Sequence, residues 1–174
     1  MIMKNLFIVI FLFLTIPDLT LAQQYNKTSI DSKTQNTILI GLCNRDGLKT
    51  GDFGAHYFSE YGNYKTDTSV INQLKKLRQN VTITIVSGTW CGDSKEQVPR
   101  FFKILDEAGF DENDLTLICI DRDKKAGEMN IDSLKINLVP TFIVYYDNKE
   151  VGRIIETPKQ YLEKDLYRII PKVN

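Results

Sequence analysis

The apolar positions of this 174-residue chain fall into blocks with different spacings. Leu6 to Ile16 is a run of eleven apolar or near-apolar residues that follows Lys4. It is short for a membrane span, which takes roughly 20 residues. Thr20-Leu21-Ala22 closes it with a small residue, so residues 1–22 read as an export signal cut before Gln23. The competing reading is an uncleaved anchor. No cysteine follows the run, so it offers no lipid-anchor site there. Gln23 to Thr34 is polar and reads as a linker.

Thr37 to Leu42 fits either a short strand or a helical turn, and Asn44-Arg45-Asp46-Gly47 reads as a turn. Phe53, Tyr57, Phe58 and Tyr61 have helical spacing, which predicts an amphipathic helix with these aromatics against the core. Together 23–66 form a linker and an N-terminal extension that covers part of the domain at 67–174. Thr68 to Gln79 is a clearer helix, capped by Asp67 or Thr68, with Val70, Ile71, Leu74 and Leu77 on one face.

Val81 to Val86 is β-branched at every position and predicts a central strand covered on both faces. Val98, Phe101, Phe102 and Leu105 mark a helix that runs to Ala108 and stops at Gly109, with Pro99 inside it. Leu115 to Asp121 is a second buried strand, with Cys119 as a core residue. A charged stretch, Arg122 to Glu128, precedes a short helix at Ile131 to Lys135. Leu138 to Tyr145, a tight turn at Asp147-Asn148-Lys149 and a returning strand at Val151 to Glu156 follow. Pro158 to Ile170 predicts a final helix with Tyr161, Leu162, Leu166, Ile169 and Ile170 inward. Strands alternating with helices place the chain in the α/β class.

Composition narrows the chemistry. An apolar share of 43% is enough to form one globular core. Lys+Arg and Asp+Glu both number 22, so there is no excess of positive charge to neutralise phosphates, and nucleic acid is not an expected partner. One histidine, His56, and three scattered cysteines make no metal site.

The chemistry-bearing stretch is Thr89-Trp90-Cys91-Gly92-Asp93-Ser94-Lys95, where the β-branched strand ends and a helix begins. The first N–H groups of a helix are unpaired and partly positive, which favours a thiolate over a thiol. Outside the cytoplasm disulfides persist, so such a thiol has substrates.

Trp-Cys-x-x at a strand-to-helix junction resembles the active site of thioredoxins. Pro99, eight residues after Cys91, matches the family, as does Asp121 at a strand end. Leu138-Val139-Pro140-Thr141 is similar to the family's segment in which a proline follows a cis bond beside the cysteine. The resemblance implies a thioredoxin fold: a central mixed sheet of four to five strands flanked by helices, its first strand either missing or supplied by Thr37 to Leu42. It implies that Cys91 attacks a disulfide and forms a mixed disulfide. Backbone groups at Val139 and Pro140 would hold the substrate chain as an added strand, with Trp90, Gly92 and Thr141 completing that substrate site.

Two departures agree with each other. Ser94 stands where a dithiol thioredoxin has its second cysteine, and Ile85 where many have a buried acid. The motif is therefore a one-cysteine site. Ser94 either donates a hydrogen bond to the thiolate or is an ordinary first-turn residue. Asp93 is either a favourable first-turn carboxylate, or tunes Cys91 or shuttles a proton. Cys43 is the candidate resolving thiol, against the reading of a buried, incidental one. Val98-Pro99-Arg100-Phe101 resembles a branch that carries Trp-Cys-x-Asp-Ser followed by Val-Pro-Arg-Phe.

The expected activity is that of an exported thiol–disulfide oxidoreductase or isomerase, periplasmic or secreted. Its partners would be protein or small-molecule thiols and disulfides, with no cofactor and no stable membrane association once the signal is removed. The alternative is a non-catalytic peptide-binding or chaperone module that uses the groove beside Trp90 and Pro140. A third class, iron–sulfur binding, rests on similarity of Cys-Gly-Asp-Ser to the Cys-Gly-Phe-Ser of monothiol glutaredoxins. Trp90 and the export signal argue against it.

Overall fold

The computed structural model describes residues 25–172, so the export segment lies outside the described residues. In chain order the elements are β1 (Lys27–Ile30), β2 (Thr37–Cys43), α1 (Arg45–Leu48), α2 (Gly51–Asn63), α3 (Thr68–Leu77), β3 (Val81–Ser87), α4 (Gly92–Ala108), β4 (Leu115–Cys119), β5 (Thr141–Tyr146), β6 (Lys149–Ile155) and α5 (Leu162–Ile169). Short 3₁₀ turns lie at Glu112–Asp114 and Asp132–Leu134, the second in place of the expected Ile131–Lys135 helix. No helix among the described residues is long and apolar enough to cross a membrane.

The strands form a six-stranded mixed sheet in the order β1-β2-β4-β3-β5-β6. β3 runs parallel to β4 and antiparallel to β5, which places it inside the sheet. Val81, Ile83 and Ile85 point into the larger core, to which all five helices contribute buried side chains. The opposite face carries a smaller cluster of Val86, Ile118, Ile120, Ala126, Ile131 and Val139, drawn from strand ends and the chain after β4. Thr82 and Thr84 lie toward that face and are only half-buried. The unbroken β-branched run thus conceals an Ile/Thr alternation, and β3 is not sealed on both faces as expected. Beside α3, Glu163 is buried in the first turn of α5 and accepts bonds from Tyr64 Oη at 2.7 Å and Asp67 N at 2.8 Å.

The N-terminal segment departs most from expectation. Lys27–Ile30 is a strand, not linker, and pairs antiparallel with β2. Its residues are all exposed, so the backbone ladder holds it without an apolar face. Thr37–Cys43 resolves as a strand, which supplies the first strand of the expected sheet and, with β1, raises the strand number to six. Asn44 does not begin a simple turn. Its Oδ1 accepts Asp46 N and Gly47 N and caps α1.

In α2, Phe53 and Tyr57 are buried but Phe58 is 63% exposed. Residues 53, 57 and 61 stack four apart on one stripe, whereas Phe58 turns about 100° away from Tyr57. The last helix is shorter than expected, starting at Leu162 rather than Pro158.

Candidate active site

The chain leaves β3 at Ser87 and enters α4 at Gly92 through a single turn closed by Cys91 N donating to Gly88 O at 2.8 Å. Two side chains fix this turn. Thr89 Oγ1 accepts Leu39 N from β2 at 3.1 Å, and Ser94 Oγ accepts Gly88 N at 3.2 Å. Cys91 is the N-cap of α4, with extended backbone at φ −93° and ψ 131°, yet its side chain makes no capping bond. The sulfur is therefore directed elsewhere: Sγ donates to Val139 O at 3.2 Å. That contact puts the motif cysteine beside the proline segment, whose Val139–Pro140 peptide is cis.

Around this meeting point the other candidates take different roles. Gly92 is exposed, and a Cβ there would meet nothing within 4 Å, which leaves the helix start bare for an approaching chain. Thr141 is buried and donates its hydroxyl to Leu138 O at 2.7 Å, so it braces the loop from within. Ser94 is fully buried, its oxygen engaged by Gly88, and no hydrogen bond joins it to Cys91 among the described residues. Asp93 lies half-buried in the first turn of α4, and its carboxylate forms no hydrogen bond among the described residues. Ile85 sits fully buried in the core, so no acid lies beneath the cysteine at that position.

Cys43 does not reach the site. The ladder places it opposite Leu117, which pairs with Ile85, so it lies level with the residue six before Cys91. Because β2 is antiparallel to β4, its C-terminal end runs away from the end of β3 that carries the motif. Strand alternation then turns Cys43 into the helix-side core with Cys119, whereas Cys91 packs against the smaller cluster on the other face. Its thiol donates to Gly41 O at 3.5 Å. The neighbouring Cys43 and complete burial hold the Cys119 thiol well above its ordinary pKa.

Gly88, Arg122 and Asp31 matter to the site through Trp90 and carried no local signal. Trp90 Nε1 donates to Ile120 O at 2.8 Å, and its ring is faced by the Arg122 guanidinium at 4.5 Å and the Lys124 ammonium at 5.2 Å. Gly88 makes room for that indole, since a Cβ there would lie 2.7 Å from the ring. Arg122 is in turn held by Asp31, with Nε to Oδ1 at 2.6 Å and Nη2 to Oδ2 at 2.9 Å. Asp31 comes from the turn between β1 and β2 and is 1% exposed. The Arg122 bond, then the Thr34 hydroxyl, hold the Asp31 carboxyl well below the usual carboxylate range against the opposing cost of burial. Asp31 chiefly, and the nearby Cys91 sulfur to a smaller extent, favour the charged guanidinium.

Acid is expected to undo this clamp. An unfolded Asp titrates near about 3.9, and the folded carboxyl lies below that, so the clamp's contribution is complete above about pH 4 and is lost as pH falls through the lowered folded value. Trp90 is the single tryptophan, so its emission reads the clamp directly. The emission of the folded protein should hold through about pH 4 and shift only as pH falls on toward the lowered value of the folded carboxyl, and Asp31→Asn should show the shifted emission already at neutral pH. An Asp31→Asn protein with unaltered emission would mean that the ion pair does not hold the indole.

Among the described residues no three His, Cys, Asp or Glu side chains gather as metal ligands. A family model described as thioredoxin matches residues 54–168. A search of curated proteins finds no match. Among solved structures, similarity extends to a protein of unknown function from Pseudomonas aeruginosa at 13% identity, covering 64% of this chain and 66% of that one, with a TM-score of 0.44. The Trxlp protein of Edwardsiella tarda is 19% identical over 62% of this chain and 96% of its own, with a TM-score of 0.38. A thioredoxin variant from Halobacterium salinarum is 18% identical over 61% and 83%, with a TM-score of 0.35.

Proposed function

The chain belongs to the thioredoxin family, its residues 54–168 matching the family model, and from that premise we propose that it is an exported thiol–disulfide oxidoreductase or isomerase that works through Cys91 alone. The observation that carries the reading is Cys91 Sγ at the head of α4, uncommitted to capping, 3.2 Å from Val139 O beside Pro140. A substrate strand paired with Val139 would bring its disulfide to that sulfur. The Cys91 thiolate attacks one substrate sulfur, the S–S bond breaks, and the other sulfur leaves as a thiolate that takes up a proton. The mixed disulfide then waits for an outside thiol, because Cys43 faces the other side of the sheet. Export rests on the pattern of residues 1–22, which makes protein and small-molecule disulfides of a periplasmic or extracellular space the natural partners. A non-catalytic peptide-binding role is the second reading, supported by Leu138, which is 45% exposed next to Val139.

Thiol trapping tests the choice. Protein from its own compartment is acid-quenched, alkylated and digested without reductant, and the partner of Cys91 is mapped. Cys91 should be found either fast-alkylating or joined to a client or small thiol, never to Cys43. A Cys91 that is free and slow to alkylate in the folded protein removes the enzyme reading and leaves the binding one.

A further inference from the structure

Two of the three thiols take no part in the site, and they lie together in the core. The ladder between β2 and β4 sets Gly41 opposite Cys119 and Cys43 opposite Leu117, so the two cysteines are diagonal neighbours on adjacent strands. Both side chains are buried in the helix-side core. A cross-strand diagonal is a longer span than a direct pair, but Gly41 puts no side chain between the two thiols. The Cys43 sulfur leans over that glycine and donates to Gly41 O at 3.5 Å, which carries it toward Cys119. The thiols then meet: their interaction is the largest influence on each, holding Cys43 below and Cys119 above the ordinary thiol pKa.

The pair sits at a seam. β2 lies before the family match at residue 54 and β4 within it, and the two strands are joined by the rungs at Gly41, Leu42 and Cys43. On the N-terminal side of the seam are the groups that brace the motif: Leu39 N, which donates to Thr89 Oγ1, and Asp31, which grips the Arg122 that faces Trp90. β1 is exposed along its length and adds no apolar anchor to this segment. A bond between the two sulfurs fastens the segment to the family domain across the long loop that holds α2, α3, β3 and α4.

We propose that Cys43 and Cys119 close a disulfide as the exported chain folds, and that this bond staples β2 to β4. The proposal rests on the export reading above and not on the chemistry of Cys91. The oxidant is a small disulfide RSSR of the exported space. The Cys43 thiolate attacks one of its sulfurs, and RS⁻ leaves and takes a proton. The Cys119 thiolate then attacks Cys43 Sγ, the mixed disulfide breaks, and the second RS⁻ leaves and takes a proton. Two protein thiols are oxidised to one disulfide as RSSR is reduced to two thiols. Both sulfurs are buried once β2 has docked, so the exchange belongs to the folding chain and the finished bond is shielded from reductant.

The test uses the full chain, reduced and unfolded, then refolded in mixed oxidised and reduced glutathione at the poise of an exported space. It is acid-quenched, alkylated and digested without reductant. The peptides of Cys43 and Cys119 should be recovered joined to each other, and equally so from Cys91→Ala. The linked protein should melt about 10 °C above protein refolded in reductant, the scale expected when a disulfide closes a long loop. The double variant Cys43→Ala with Cys119→Ala should melt at one temperature with or without reductant, which assigns the shift to this pair. Separately alkylated Cys43 and Cys119, a link from either to Cys91, or a link that leaves the melting temperature unchanged overturns the staple. None of these results bears on Cys91 as nucleophile, whose own failure to alkylate or exchange leaves the pair standing. A chain that forms the link in glutathione but is isolated from a reducing compartment with both thiols free overturns the export reading and, with it, the bond in the native protein.

Discussion

Replacing Cys91 by alanine is expected to return disulfide exchange to its uncatalysed rate, a fall on the order of 10³-fold or more, since no other side chain can assume the covalent role. The other two thiols are unsuited to it: Cys43 and Cys119 are buried, in the core on the far side of the sheet. The substitution removes a half-buried sulfur that caps nothing, so helix α4 should keep its start and the protein its stability. That separates chemistry from folding. The same variant distinguishes the two functional readings, because the Val139 groove is formed by backbone and survives it. Loss of exchange with retained peptide binding supports the enzyme. Exchange that persists at the original rate in Cys91→Ala would remove Cys91 from the mechanism, and with it the meaning of the 3.2 Å contact to Val139.

What sequence can reveal here follows from how each feature is held. α3 and α4 are legible because each buries one face in the helical period, and α4 stops at Gly109, whose φ of 75° is a left-handed cap. β3 is legible as a strand from its β-branched residues, but not in which face it buries, because threonine and isoleucine share that branching. Cys91 and Pro140 are legible as a pair because both lie in short motifs with local residue patterns. β1 is not legible, because an exposed edge strand is bound by backbone bonds to β2 and needs no apolar residue. The Asp31–Arg122 clamp is not legible either: its partners lie 91 positions apart, and nothing near Asp31 distinguishes it from other polar residues of that segment. Cys43 shows a third kind of blindness. Whether it reaches Cys91 depends on the direction and phase of β2 against β4, and a one-residue change in phase would turn its side chain to the opposite face.

The largest expected stability effect is that of Phe101→Ala. Phe101 is fully buried in α4, and its ring centroid lies 4.2 Å from that of Phe142 in β5. Removing the ring should cost about 3–5 kcal/mol through lost apolar burial and the cavity left behind. That is a large part of the 5–15 kcal/mol that typically holds a domain together. Phe58→Ala in α2 should be nearly neutral by contrast, since that ring is 63% exposed. The Phe101 pair also has a functional consequence. α4 carries Cys91 at its head, and Phe142 follows Thr141 directly after the Val139–Pro140 segment. The contact therefore ties together the two pieces whose meeting forms the site. Phe101→Leu retains most of the apolar volume and should lose far less stability. Equilibrium denaturation of both variants measures the first effect. Exchange rates at a denaturant concentration where Phe101→Ala is still folded measure the second, and should fall in Phe101→Ala more than in Phe101→Leu. A Phe101→Ala protein that loses under about 1 kcal/mol would show that the core between α4 and β5 closes over the gap. One that loses stability but exchanges disulfides at the full rate would show that the alignment of Cys91 with Val139 is set within the loop turn, by the Gly88, Thr89 and Ser94 bonds alone.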